Sequence, residues 1–328
     1  MALFGANITG TGSSVPAKRL TNEDLSRMVD TNDEWITQRT GIKERRIAGE
    51  GESTATLGAA AARFAIEAAG LSPKDIELII VATITPEMVF PSTACFIGAE
   101  LGIPGVPAFD MSAACSGFIY ALATGGNFIR AGQYKHVLVI GAETISRITN
   151  YKDRSSCILF GDGAGAVVLS RTTEPGRGLL YNSLHADGQG GDVMKCPPGS
   201  RHPVTAQMLA EDAQYMVIRG REVYKFAVTK FEELIHDAMV KCELGVDDVK
   251  LIVPHQVNQR IIDSAMDKLG FAADKAYVNI ERYGNTSSAS IPLALDEAWR
   301  AGKVQPGDNL IFVAFGAGLT WGNAVVRV

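Results

Sequence analysis

The sequence predicts an α/β protein built from two related halves, and three observations carry the prediction. Alanine-rich helical stretches alternate with strand-length runs that are apolar throughout, the pattern of sheets covered by helices on both faces. An offset of 173 residues lays Leu71, Asp75, Ile76, Leu78 and Ile79 over Leu244, Asp248, Val249, Leu251 and Ile252. The 328 residues, 46% hydrophobic and 20% charged, suffice for two domains with large cores.

Taken in order, the stretch 22–46 sets one Trp among five basic residues and reads as a ligand-contacting excursion. Residues 56–69 (TLGAAAARFAIEAA) have the composition of a buried helix, and 76–83 reads as a strand buried on both faces. At the same offset, 115–122 falls on 288–295 and the strand 137–140 on 310–313, while the two halves close on Ala-Val-Val at 166–168 and 324–326. So long a period excludes solenoids and propellers, whose repeats run to about 20–50 residues. The expected division is 1–172 and 173–328. Between the copies, roughly 171–220 is polar and rich in Gly, Pro and Asp (ADGQGGDVMKCPPGSRHP), with no counterpart in the first half, and is expected at the mouth of a site.

Composition narrows the function classes. A formal net charge of −5 carries no bulk signature of nucleic-acid binding. No apolar run approaches the roughly 18–20 residues of a membrane helix, and residues 1–11 lack the features of a signal peptide. A cytoplasmic location is therefore expected, with no membrane partner. The five cysteines are odd in number and form no C-x-x-C pair, so neither a disulfide framework nor a metal site is signalled.

Cys115 follows small residues and precedes an apolar helical run (Phe118, Ile119, Leu122), which places it at a helix start on a strand-to-helix turn. Unpaired N–H groups there favour a thiolate, and reactive cysteines in such settings have pKa values of about 3.5–7.5. The plain alternative is a buried small apolar residue; its duplicate, Ser288, shows that the fold does not require sulfur. His255 ends the apolar strand 251–254, where α/β sheets form ligand sites, against the alternative of a backbone-satisfied histidine. Asn285 suits a helix cap, yet it stands just before the duplicate of the Cys115 turn. Two Gly-rich loops complete the set: 160–165 reads as a turn, and 314–319 as either an anion-facing loop or a close-packed hairpin.

These three residues, together with DEWITQRTGI (33–42), FGDGAGA (160–166), PHQVNQRI (254–261) and GNTSSASIP (284–292), resemble the β-ketoacyl-acyl carrier protein synthase III family along essentially the whole chain. The resemblance implies a thiolase-like fold, an internally duplicated five-layered αβαβα sandwich, in a homodimer. It further implies a decarboxylative Claisen condensation of acyl-CoA, usually acetyl-CoA, with malonyl-acyl carrier protein to start type II fatty acid synthesis. CoA enters as a thioester substrate, and no cofactor or metal is implied. Cys115 would carry the acyl group. His255 and Asn285 would stabilise the enolate as neutral donors, and the backbone N–H groups of Cys115 and Ala317 would form an oxyanion pocket, each such donor being worth roughly 3–4 kcal/mol.

The resemblance also implies CoA contacts at Trp35, Arg39, Arg154, Gly220, Val257, Asn258 and Arg260. It implies carrier-protein docking at Lys225, Gln256, Arg260 and Lys268, for which a solvated helix face is the alternative. The acyl pocket would involve Phe90, reaching across a dimer interface, and Phe315. Two departures stand out: 316–318 is Gly-Ala-Gly where three glycines are common, and Asp267 stands where a basic residue would strengthen docking. A degradative thiolase would need a second cysteine near the C-terminus, yet the last is Cys242, and an elongating synthase would place a histidine at 285. A secondary-metabolism synthase or acyltransferase of the same fold, a cysteine thioester hydrolase and a non-catalytic carrier-binding scaffold stand as alternatives.

Overall fold

The computed structural model describes residues 4–328. Nine strands form its two main sheets: β1 (Gly5–Ser14), β2 (Leu78–Ala82), β3 (Ala108–Met111), β4 (His136–Glu143), β5 (Gly163–Thr172), β6 (Gly178–Ala186), β7 (Val249–Pro254), β8 (Asn309–Gly316) and β9 (Thr320–Arg327). The first sheet has the order β1-β5-β4-β2-β3, and the second the order β6-β9-β8-β7. In both, the two outer pairings at one edge are antiparallel and the pairing that follows is parallel. All strands of the first sheet fall within 5–172 and all strands of the second within 178–327.

The copies part at the fifth strand. Ile79 pairs with Ala108 in the first sheet, whereas its duplicate Ile252 makes only an isolated bridge to Ala276. Six positions separate Ala108 from Ala114, and eleven separate Ala276 from Ser287. The extra chain is used by the helical turn Ile280–Tyr283.

Period-two alternation explains the layers. Leu78, Ile80 and Ala82 face a central core that they share with α4 (Gly117–Arg130), α7 (Ser290–Arg300) and residues Leu251, Val253, Leu310 and Phe312 of the second sheet. The intervening Ile79 and Val81 face outward onto α2 (Thr54–Ala68) and α3 (Thr93–Glu100). Across the molecule, Ile252, Ile311 and Val313 pack outward against α5 (Gly220–Lys241) and α6 (Gln259–Leu269). The result is helix, sheet, helix, sheet, helix: five layers, with α4 and α7 as the shared middle one.

Helix starts are set locally. Ser53 and Thr56 form a reciprocal capping box at α2, and Asn32 caps α1 (Asp33–Thr40). Of the basic residues at 22–46, Arg45 is fully buried and donates to Leu20 O, Asn22 Oδ1 and Ile158 O, so its role is to tie this segment to the body. The Gly-rich stretch 160–165, expected as a turn, instead runs from a bridge at Phe160 straight into β5 at Gly163, with the buried Asp162 accepting from Ala48 N at 2.7 Å and Ser146 N at 2.8 Å.

Candidate active site

The two central helices, α4 and α7, each begin with a tight turn, Ala114–Ser116 and Ser287–Ala289, and the two turns touch. Cys115 lies on the first, 5% exposed. Cys115 lines a largely apolar cavity with Ile84, Ile145, Ile148, Phe160, Met194 and Met216, and Lys195, Cys196, Ser287 and Ala317 complete its wall. Met194 and Met216 come from the polar excursion between the halves. The expectation of a lowered thiol pKa is not met in the resting protein. Burial pushes Cys115 up to about 12; the Ser287 hydroxyl works against that, and the Glu143 carboxylate adds to it.

His255 is held from three sides. Its backbone N–H donates to Val313 O at 2.8 Å, the Phe315 ring meets the imidazole edge-on at 6.0 Å, and Nδ1 lies 3.0 Å from Ser290 Oγ. Burial alone pushes its pKa down to about 3, so the ring is neutral near pH 7. The Ser290 hydroxyl donates to Ser287 O at 2.8 Å, a carbonyl that also receives the Ser290 backbone N–H, so its contact with Nδ1 fixes the orientation of the ring. Nε2 is buried and has no partner within the protein, the state of a polar atom kept for a ligand.

Asn285 is anchored by a bridge to Phe160, its N–H donating to Leu159 O at 2.8 Å. Its Oδ1 accepts the Ser287 N–H at 2.8 Å, which turns the amide so that Nδ2 remains the outward donor. The N-cap of the turn is Thr286, so Asn285 acts one position further out, its oxygen taken by the Ser287 N–H.

The loop after β8 closes the site from the second sheet. A Cβ at Gly316 would fall 2.6 Å from Cys115 N, so only glycine allows this approach. The Thr320 hydroxyl sits 2.8 Å from Ala113 O and 3.0 Å from Ala317 O, joining the loop to the nucleophile turn. Ala317 does not adopt a left-handed backbone, so its Cβ imposes no strain there.

Four of the expected CoA residues, Trp35, Arg39, Arg154 and Asn258, are joined in one group. The guanidinium carbons of Arg39 and Arg154 lie 4.3 Å and 5.0 Å from the centroid of the Trp35 ring. Asn258 Nδ2 donates to Arg39 O at 2.7 Å while its Oδ1 caps α6 at Arg260 N. Val257 is half-buried, and Gly220 and Arg260 are exposed.

Two expectations need correction. Gln256 is buried, donating to Pro254 O and Tyr277 O and accepting from Asn279 N, so it presents nothing to a docking partner. Phe315 packs against His255, Phe226 and Phe231 in the core and does not line the Cys115 cavity. Phe90 also lies away from this chain's own cavity, 81% exposed. Lys225 is exposed, and Lys268 is exposed and pairs with Glu232 at 2.9 Å.

Sequence reasoning missed Ser287, Ser290 and Glu143. A signal existed for Glu143, the sole charged residue after the first position of β4 and standing at its carboxyl end. Ser287 and Ser290 were hidden among ordinary turn-forming residues.

A five-layered duplicated sandwich, with Cys115 and Asn285 at the two central helix starts and His255 at the end of β7 in contact with Ser290 of the second, is the architecture of a thiolase-fold condensing enzyme. A family model described as 3-oxoacyl-[acyl-carrier-protein (ACP)] synthase III matches residues 109–188, and its C-terminal counterpart matches 239–328. The chain is 50% identical to the beta-ketoacyl-[acyl-carrier-protein] synthase III of Caldanaerobacter subterraneus subsp. tengcongensis, over 99% of this chain and 98% of that one. It is 51% identical to the protein of the same name from Desulfitobacterium hafniense, with the same coverage. Among solved structures, 3-oxoacyl-[acyl-carrier-protein] synthase III from Aquifex aeolicus superposes with a TM-score of 0.92 at 46% identity, over 99% of this chain and 100% of the other. The priming β-ketosynthase of the R1128 polyketide pathway gives 0.91 at 35% identity, over 99% and 97%. The chain belongs to the β-ketoacyl-acyl carrier protein synthase III family.

Proposed function

We propose that the protein carries out the initiating condensation of fatty acid synthesis, joining an acyl-CoA starter, acetyl-CoA first among them, to malonyl-acyl carrier protein. The observation that carries this reading is Cys115 on the wall of an apolar cavity, with a neutral His255 at the end of β7 and the Asn285 amide each bonded to the adjoining turn and helix start. In the first half-reaction, Cys115 sulfur attacks the starter thioester, and the C–S bond to CoA breaks as the bond to Cys115 forms. Malonyl-carrier protein then loses CO2. The electron pair released becomes an enolate, whose oxygen His255 and Asn285 stabilise without donating a proton to carbon. Attack of that carbon on the acyl-cysteine gives the β-ketoacyl product and frees the thiol. A neutral His255 suits this step, because an imidazolium would quench the carbanion.

Trp35 with Arg39 and Arg154 supplies an aromatic face and cations for the CoA nucleotide, and Lys225, Arg260 and Lys268 are candidates to meet the acidic carrier protein. Met88, Val89 and Phe90, respectively 47%, 97% and 81% exposed, form an apolar tip that favours a homodimer. No helix among the described residues is long and apolar enough to cross a membrane, and a cytoplasmic setting fits the reading. Supplied with acetyl-CoA and malonyl-acyl carrier protein, the purified protein should release CO2 and form acetoacetyl-carrier protein in equal amounts. Release of free acetate without CO2 would overturn the reading in favour of a thioester hydrolase.

A further inference from the structure

The Cys115 cavity has a volume of about 40 Å³, room for about three water-sized groups. An acetyl group adds three heavy atoms to the sulfur, and a hexanoyl group adds seven. The polar side chains of the wall are few. The Lys195 ammonium is taken by Asp192 at 2.6 Å, the Cys196 thiol lies 3.5 Å from Gln214 O, and the Ser287 hydroxyl has no bond within the protein. One free hydroxyl among Ile, Phe and Met side chains favours a hydrocarbon end over a charged one.

A larger space adjoins the same wall. It is an open groove of about 700 Å³, and Ile84, Ile148 and Cys196 border it as well as the Cys115 cavity. Further along, the groove is bordered by Met88, Val89, Val204 and Leu209, an apolar surface on which a hydrocarbon chain gains by burial. Ile84 and Ile148 pack against Ile145, Phe160 and Met216 of the cavity wall. Their backbones are tied down: the Ile84 N–H donates to Glu143 Oε2 at 3.1 Å, and Ile148 O receives the Met216 N–H at 2.9 Å. Glu143 is itself fully buried and fixed by the Thr83, Thr85 and Ser288 hydroxyls. A partition fixed at both backbones resists displacement by a longer chain.

We propose that Ile84 and Ile148 set the length of the starter: acyl groups of about two to four carbons fit in front of them, and longer ones are excluded by the partition. The bond changes at sulfur are the same for every starter, so the limit is one of space, and it rests on the condensation reading, which puts an acyl group on Cys115. The limit also lies within one subunit. Phe90 borders neither space, and its neighbours Met88 and Val89 border the groove and not the cavity. The exposed tip is therefore on the groove side of the partition and does not set the limit.

The test is the rate at which the full-length protein is acylated by acetyl-, butyryl-, hexanoyl- and octanoyl-CoA, followed by intact mass and read as a ratio to acetyl-CoA. A ratio is used because a variant that folds only in part loses all four rates together. Wild type should accept acetyl and butyryl groups and fall by about 100-fold between butyryl and hexanoyl. Ile148→Ala joins the cavity to the groove, so its hexanoyl-to-acetyl ratio should rise by about tenfold or more, each methylene that enters the groove being worth up to about fourfold. Ile148→Val removes one carbon and disturbs the fold less; it should move the ratio the same way by a smaller step. Phe90→Ala should leave the ratio at its wild-type value. A wild type that takes hexanoyl or octanoyl groups as readily as acetyl would overturn the proposal. So would a ratio that neither Ile148 variant moves, whether or not Phe90→Ala moves it. A wild type that accepts none of the four acyl groups would instead strike the condensation reading, and the length limit with it.

Discussion

Ala114 and Ser287, 173 positions apart, both hold a left-handed backbone, at φ 46° and 51°. Neither is glycine, and each opens the tight turn that starts a central helix. The duplicated strain places the next residue of each copy, Cys115 and Ser288, at equivalent points. One is the proposed nucleophile; the other bonds Glu143 and so ties the second half to the first.

That pairing makes Gly316 a sensitive position. Gly316→Ala puts a Cβ 2.6 Å from the Cys115 backbone nitrogen, which cannot yield as a side chain would. The expected outcome is a loss of about 1–3 kcal/mol in stability, and acylation slowed by about 100-fold as the turn is displaced. Denaturant melts and rapid-quench acylation check both, and a variant with normal acylation would refute the close approach.

Ser290→Ala removes the partner of His255 Nδ1. The imidazole then loses the contact that orients it, so decarboxylation of malonyl-carrier protein should fall by about tenfold or more while acylation of Cys115 stays near normal. Separate assays of the two half-reactions measure the split. Equal losses in both would mean that Ser290 merely supports the fold.

Burial fixes the pH behaviour of His255. Its folded pKa is pushed from the ordinary 6.5 down to about 3, so the unfolded chain binds a proton first as pH falls. The stabilisation is fully present above about pH 6.5 and declines by about 1.4 kcal/mol per pH unit from there toward pH 3. His255→Gln, which cannot titrate, should therefore lose less stability than wild type between pH 7 and pH 5. Parallel losses in urea melts would contradict a buried neutral imidazole.

Trp35→Ala should raise KM for acyl-CoA by about tenfold, the worth of one stacked base, and leave kcat at saturation intact. A fall in kcat with unchanged KM would remove Trp35 from the CoA site.

Much of this was legible because it repeats. Apolar strands at a fixed offset foretold two sheets of one topology, and Cys115, His255 and Asn285 stood out where an apolar segment meets a polar or small-residue turn. What stayed hidden depends on packing. Gln256 sits among motif residues, yet its amide is consumed by Pro254, Tyr277 and Asn279 inside the body. Phe315 is one residue before the active loop, but alternation along β8 turns it to the outer core beside Val313, away from the cavity. The thiol pKa was misjudged for a related reason: a helix start favours a thiolate, and burial outweighs it here.

The covalent role of Cys115 is decided by the intact mass of wild type and Cys115→Ala after incubation with acetyl-CoA, followed by malonyl-acyl carrier protein. Wild type should gain one acetyl group and lose it to a β-ketoacyl product when the second substrate arrives, and Cys115→Ala should gain none. Acetylation of the Cys115→Ala protein at the wild-type rate, or an acetyl group that malonyl-carrier protein fails to discharge, would contradict it.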